Sequence, residues 1–444
     1  MRKLLAVLAL VLLSALAGPA FAEDDTRAVI ARAVAAQGGE EKLARRVAVA
    51  MRIKGTLYAT QDDGMPLTGD LVSDPGGRLK FTLRVQVMGA KLDLTQVLDN
   101  GKGWRSLNGE LEELKEDTLR EMKESAYIDR VTSLVPLLKE DGFTLTALGE
   151  GKVNGQAVQR VKVAAQGQPD VTLSFAKEGG LLVKYEHKGK DFGAAKEVLQ
   201  ETYFSDYHEP DLAAPDEQTL QAAKVAVDGA ALVEFLKRRT PDAGSEAKIK
   251  ELIKKLGDDA FEVREKASAD LVALGTAAVP LLRQAAKDSN DLEVLRRAQQ
   301  CLQQIGDKGG DALVLPAVRL VALRKPDGAA AVLLDFAART GDEELAREAR
   351  AALAALAERD GKADPVVAQA LEDKDSGRRG AAAAVLGKDG GAYLKQPGRR
   401  LFPDGVKLPM KAVLYSDGKK ILERETVGVE FFNQFEDGVF APPK

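Results

Sequence analysis

The chain has 444 residues, with 64 Lys and Arg against 68 Asp and Glu and a net charge of −4. That near balance offers no strong field for nucleic acid or an anionic membrane surface. The length exceeds a single ordinary domain, and one cysteine, Cys301, leaves no internal disulfide, so packed cores alone must hold the fold.

Residues 1–22 read as a cleavable secretory signal. Arg2 and Lys3 form the positive start, Leu4 to Leu16 is an apolar run, and Ala20-Phe21-Ala22 is an A-x-A site followed by Glu23-Asp24-Asp25. The run is shorter than the roughly 20 apolar residues of a spanning helix. No cysteine lies near the site, so the expected product is not a lipoprotein. The expectation is a soluble protein in a periplasm or outside the cell, without a membrane span after signal cleavage.

A helix is expected near Thr26 to Ala36. From Val47 to about Tyr207 the apolar residues alternate, as in antiparallel strands with one covered face. Val47, Val49, Met51, Ile53 and Leu57 share one face of a first strand, opposite Arg52, Lys54 and Thr56. Phe81, Leu83, Val85 and Val87 repeat the pattern, then Val171, Leu173 and Phe175, then Leu181, Val183 and Tyr185. Asn100-Gly101, Asn154-Gly155 and Gly179-Gly180 mark turns. Within 117–139, Leu119, Met122, Ala126, Val131, Leu134 and Leu138 form a helical stripe.

Residues 208–245 contain Pro, Gly and Asp and read as a linker. From 246 to 390 the period becomes 3.6 and the residues are helix formers. Val263, Ala267, Leu271, Leu274 and Gly275 recur as Val294, Ala298, Leu302, Ile305 and Gly306, then as Leu345, Ala349, Leu353 and Leu356, with a degenerate copy around Arg378 to Gly387. Unequal spacing suggests an extra helix pair between 307 and 341. One helix cannot bury such a seam, whereas stacked pairs can. The run Leu256-Gly257-Asp258-Asp259, Val263-Arg264, Ala267, Leu271, Leu274-Gly275 and Ala278-Val279-Pro280-Leu281-Leu282 resembles HEAT repeats. The second unit departs from the pattern, with Leu295 where Arg is usual. The resemblance implies an all-α solenoid that holds a protein partner.

A second linker is expected at 391–403. Met410–Tyr415 and Lys420–Phe431, joined by Asp417-Gly418, then read as a hairpin. A lone hairpin is marginal in water, so it must pair with the N-terminal sheet. The expected organisation is a discontinuous β domain, 23–207 plus 404–444, with the helical region inserted. Its order of elements, Gly101-Lys102-Gly103-Trp104, Asp404-Gly405-Val406-Lys407-Leu408-Pro409 and the tail Val439-Phe440-Ala441-Pro442-Pro443 resemble secreted proteins of the LolA/LolB-type lipoprotein-carrier fold. That resemblance implies a half-open antiparallel barrel lined with apolar side chains that receive acyl chains.

Enzyme signatures are missing from the sequence. It holds no GxxxxGK[ST] and no G-x-S-x-G, and its two histidines, His187 and His208, cannot build a three-histidine zinc site. Asp373-Lys374-Asp375-Ser376-Gly377 resembles a calcium loop but has Ala384 where the bidentate Glu belongs. No cofactor, metal or catalytic residue is assigned. The candidate ligand site is an apolar trough of Val49, Met51, Ile53, Phe81, Leu83, Val85, Leu173 and Tyr185, with Trp104 at its mouth because indole suits half-wet sites. The same residues also suit plain packing of sheet on helix. Three readings follow: a non-enzymatic carrier of a lipid or lipoprotein acyl chain with a protein partner on the solenoid, an envelope interaction scaffold without a small ligand, and an exported hydrolase of unfamiliar site.

Overall fold

The computed structural model describes residues 23–45, 48–58, 64–87, 90–190, 196–241, 243–305, 310–340, 342–359, 362–386, 400–403 and 405–443. The expected signal peptide, Val47, Asp404 and most of the 391–403 stretch lie outside the described residues. The chain divides into two compact units: residues 1–210, 403–429 and 437–444 form one, and residues 211–402 and 430–436 the other.

The first unit opens with helices α1 (Glu23–Ala36) and α2 (Glu40–Arg45). A meander follows: β1 (Ala48–Leu57), β2 (Met65–Ser73), β3 (Leu79–Val87), β4 (Ala90–Asp99), β5 (Lys102–Leu107) and β6 (Glu110–Glu113). Asn100 and Gly101 both have positive φ, 48° and 82°, the geometry that a two-residue hairpin turn requires and Asn-Gly supplies. The stripe expected within 117–139 is two helices, α3 (Glu116–Thr132) and α4 (Val135–Lys139). The break falls at Leu134, whose φ is 67°, and Pro136 sits in the first turn of α4, where its missing N–H is harmless. A second meander runs through β7 (Thr144–Val153), β8 (Gln156–Ala164), β9 (Val171–Ala176), β10 (Leu182–Lys190) and β11 (Glu197–His208).

In the second unit the chain is helical in the order α5 (Ala214–Ala222), α6 (Gly229–Lys237), α7 (Ala243–Lys255), α8 (Phe261–Leu274), α9 (Val279–Asp288), α10 (Leu292–Ile305), α11 (Gly310–Arg324), α12 (Ala329–Arg339), α13 (Glu343–Leu356), α14 (Pro365–Ala370) and α15 (Ser376–Leu386). Residues 208–245 are therefore not a linker. Pro215 lies in the first turn of α5, and the Asp228 carboxylate caps α6 by accepting from the Ala231 N–H at 2.9 Å. The residues read as breakers are helix starts. Leu220, Leu232 and Leu236 are fully buried. Short strands β12 (Glu358–Arg359) and β13 (Lys362–Ala363) pair with each other, and β14 (Arg400–Leu401), in the stretch expected as a second linker, pairs with Phe431 and Phe432.

The copies of the repeat fall on α8, α10, α13 and α15, and each turns its apolar seam inward. They do not share one core. Residues of α7 to α10 form one buried cluster around Ile249, Leu271 and Ala298. Residues of α5, α6 and α11 to α15 form another around Leu232, Val318 and Leu353. Helices α5 and α6 pack on α11, skipping the four helices between. That is not the neighbour-on-neighbour stacking of a simple solenoid.

The chain returns to the first unit through β15 (Leu408–Ser416) and β16 (Lys419–Phe432), turned at Asp417-Gly418 with φ of 48° and 74°. The sheet is wholly antiparallel wherever its register is defined, and its order is β6-β5-β4-β3-β2-β1-β16-β15-β11-β10-β9-β8-β7. The hairpin from the end of the chain thus lies at the centre and joins the two meanders. The Tyr58 N–H donates to the Ile421 carbonyl at 2.8 Å on one side, and β15 pairs from Gln200↔Ser416 to His208↔Leu408 on the other. The ends of the excursion meet: the Gly405 N–H donates to the Glu209 carboxylate at 2.9 Å.

Gly55 permits the β1–β16 junction. A Cβ there would lie 2.1 Å from the Glu423 carbonyl oxygen and 2.9 Å from the Arg424 Cα, so only glycine lets the strands approach this closely. Gly55→Ala is expected to lower stability by about 3 kcal/mol, at the upper end for overpacking. Gly428→Ala on the neighbouring strand β16, where a Cβ meets only Arg52 at 3.6 Å, should change it by less than about 0.5 kcal/mol. Denaturant midpoints check this; equal midpoints for the two variants would show that the close approach does not matter.

Candidate functional site

Directly paired residues of an antiparallel ladder share a face. Met51 pairs with Leu71 and Leu71 with Phe81, while Ile53 pairs with Gly69 and Gly69 with Leu83. On the other side, Leu173 pairs with Tyr185, Tyr185 with Thr202, Thr202 with Leu414, and Leu414 with Leu422. Leu422 packs against the cluster of Ile53, Met65, Leu67 and Val85, which joins the two series. Val49, Met51, Ile53, Phe81, Leu83, Val85, Leu173 and Tyr185 therefore lie on one face of the sheet. The reverse face near the junction is charged and wet, with Lys54–Glu425 at 3.3 Å and Arg84–Asp70 at 3.1 Å.

The eight are not equally available. Leu173 has no exposed surface and lies in packed core with Val161, Val163, Val171 and Phe175. Val49, Ile53 and Val85 are also buried. Helix α3 packs on β4, β5 and β9, and its Leu119, Met122 and Ala126 cover Leu98 beside Phe81. Met51, Phe81, Leu83 and Tyr185 keep part of their surface.

Trp104 is elsewhere. It pairs with Val97, Val97 with Lys80 and Lys80 with Val72, which puts the indole on the reverse face. The Lys80 ammonium there donates to the Val439 carbonyl at 3.2 Å, and the Arg78 guanidinium lies 4.6 Å from the Phe440 ring. The tryptophan belongs to the face that receives the C-terminal segment, not to the mouth of a trough.

The lined face also carries polar side chains outside the expected trough. Arg424 pairs with Ala412 and Ala412 with Phe204, whose ring lies 5.7 Å from Tyr185; the His187 ring lies 6.0 Å from Tyr185 on the other side. Thr426 follows Arg424 on the same face. Burial pulls the Arg424 guanidinium below the usual arginine range, pushes the Tyr185 phenol up, and lowers His187 to about 4, so this histidine is neutral near pH 7. The Thr426 hydroxyl and Nδ1 of His187 are buried and have no hydrogen-bond partner among the described residues, whereas the buried Thr202 hydroxyl faces the Tyr185 phenol. Buried polar atoms are ordinarily paired, and the Thr426 hydroxyl and the His187 nitrogen are exceptions on this face.

No group of three or more His, Cys, Asp or Glu side chains that could hold a metal exists among the described residues. The calcium-like run is a helix cap: Asp375 accepts from the Gly377 N–H at 2.8 Å, and Asp373 pairs with Arg378 at 2.8 Å. Cys301 is buried in the α7–α10 core, which pushes its thiol pKa up. The His208 Nδ1 lies 2.8 Å from the Glu209 carbonyl. Among the described helices none is long and apolar enough to cross a membrane.

No protein-family model matches the chain, and no curated protein matches it. Among solved structures it is similar to a DUF1329 family protein from Desulfovibrio piger, at 11% identity over 42% of this chain and 81% of that one, with a TM-score of 0.28. It is also similar to a LolA superfamily protein from Nitrosomonas europaea, at 6% identity over 41% of this chain and 79% of that one, TM-score 0.26. A third is a putative outer membrane lipoprotein-sorting protein domain from Vibrio parahaemolyticus, at 11% identity over 38% of this chain and 76% of that one, TM-score 0.25.

Proposed function

We propose that the sheet unit is an exported, non-enzymatic binder of an apolar ligand, a lipid or lipoprotein acyl chain, held against the lined face. The observation that carries this reading is the set Met51, Phe81, Leu83 and Tyr185: apolar or aromatic, on one face, and incompletely covered by the helix that packs there. Each methylene buried against such side chains contributes roughly 0.8 kcal/mol, so binding needs no catalytic group. Export to a periplasm or beyond belongs to the same proposal and rests on residues 1–22.

The helical unit, in this reading, holds a protein partner. Phe261 and Leu292 open α8 and α10 at the same place in successive copies of the repeat and are 61% and 80% exposed. Large apolar side chains left in water in a related pair suit a protein contact. The scaffold alternative, with no small ligand, draws on the fully buried Leu173 and the packed Ile53.

Organic extraction and mass spectrometry of the protein purified from its native envelope test the ligand reading. Co-purifying lipid near one equivalent is the expected result. Clean protein that also ignores hydrophobic probes would leave the scaffold.

A further inference from the structure

The polar group on the lined face has a composition that plain packing does not explain. Arg424 projects from the central strand β16 toward the same side as Leu422, beside Ala412 and Phe204. It makes no hydrogen bond or ion pair among the described residues; the carboxylate that acts on it electrostatically is Asp129 of α3, an exposed side chain. A guanidinium set among apolar groups without a bonded counterion is costly, and a bound anion would offset that cost. The donor suited to an oxyanion beside it is the Tyr185 phenol, which feels Arg424 and accepts a hydrogen bond from Thr202.

We infer that the ligand is a long-chain fatty acid whose carboxylate is anchored on Arg424, with the Tyr185 phenol as a second donor, while its chain runs along Met51, Leu83 and Phe81. This rests on the apolar-ligand reading above and adds the chemistry of the head. One guanidinium matches one monoanion, and its planar fork fits a carboxylate in two hydrogen bonds. A free carboxylate ends its chain, so it can reach the half-buried arginine beside Phe204 and Tyr185. A phosphodiester carries further substituents on its far side and needs an open mouth there.

The test uses the intact, delipidated protein and isothermal titration with oleate, methyl oleate and phosphatidylglycerol vesicles. Oleate should bind at least tenfold more tightly than methyl oleate, as a charge-assisted pair at a half-buried site provides. Arg424→Gln should abolish that difference while still binding methyl oleate, which also shows the variant is folded. Arg424→Lys should keep part of it. Equal binding of oleate and its ester by the unaltered protein would overturn the anchor and leave the apolar-ligand reading standing. Binding of neither would overturn both. Tighter, Arg424-dependent binding of phosphatidylglycerol than of oleate would overturn the fatty acid in favour of a phosphate head.

Discussion

A chain ending at Tyr207 is expected to show no cooperative unfolding of its sheet. It lacks β15 and β16, so β1 and β11 become two open edges where the structure has a continuous ladder. The lost bonds include Tyr58 to Ile421 and the whole β11–β15 register, and the Ile53–Val85 cluster loses Leu422. Unpaired edge strands invite intermolecular pairing, so the truncated chain should aggregate. Residues 23–207 joined by a short linker to 404–444 should fold, because Glu209 and Gly405 already lie in hydrogen-bond contact at 2.9 Å. Circular dichroism melts and hydrogen exchange of β1 and β11 read the outcome. Equal stability of the two chains would show that the hairpin is not needed at the centre.

The second large effect is expected in the helical unit. Asp216, on α5, receives both arms of the Arg319 guanidinium from α11, one at 2.7 Å. Asp216 is 6% exposed, so solvent screens the pair little. Asp216→Ala leaves the half-buried Arg319 without its bonded partner, with only the fields of Glu348 and Glu430 beside it, and is expected to lower stability by about 3 kcal/mol, the low end for a broken buried pair. Replacing both partners, Asp216→Leu with Arg319→Leu, should be less harmful than the single change, since no lone charge remains. The reading is the denaturant midpoint of the transition in which the amides of α5 and α11 exchange. A loss below about 1 kcal/mol for Asp216→Ala would show that α5 is not held by this pair.

Two details show why part of the candidate site escaped a reading of the residues alone. The Asn100-Gly101 turn pairs Asp99 with Lys102 and so Val97 with Trp104. Only the next register, Val87 with Ala90 across β3 and β4, puts Val97 beside Lys80 instead of Phe81 and sends the indole to the reverse face. Arg424 is harder. The strand Ile421 to Val427 alternates equally well in both phases, and a bulge at Leu414/Tyr415 shifts the β15–β16 pairing by one residue. A one-residue shift exchanges the faces, so without the bulge Ile421 and Glu423 would point where Leu422 and Arg424 do.

The amino-acid sequence by itself determined what is local. Period-two alternation located β1, β3, β9 and β10; Asn-Gly and Asp-Gly located tight turns; and the 3.6 period located α8, α10 and α13. These follow from side-chain geometry within a few residues. Nearest-neighbour logic could not supply the rest. The placing of β16 against β1, the packing of α5 and α6 on α11, and the gathering of Arg424, Tyr185, Thr202 and His187 on one face join residues far apart in the chain. Those choices depend on which surfaces bury each other and on single-residue shifts of register, and only the tertiary structure decides them.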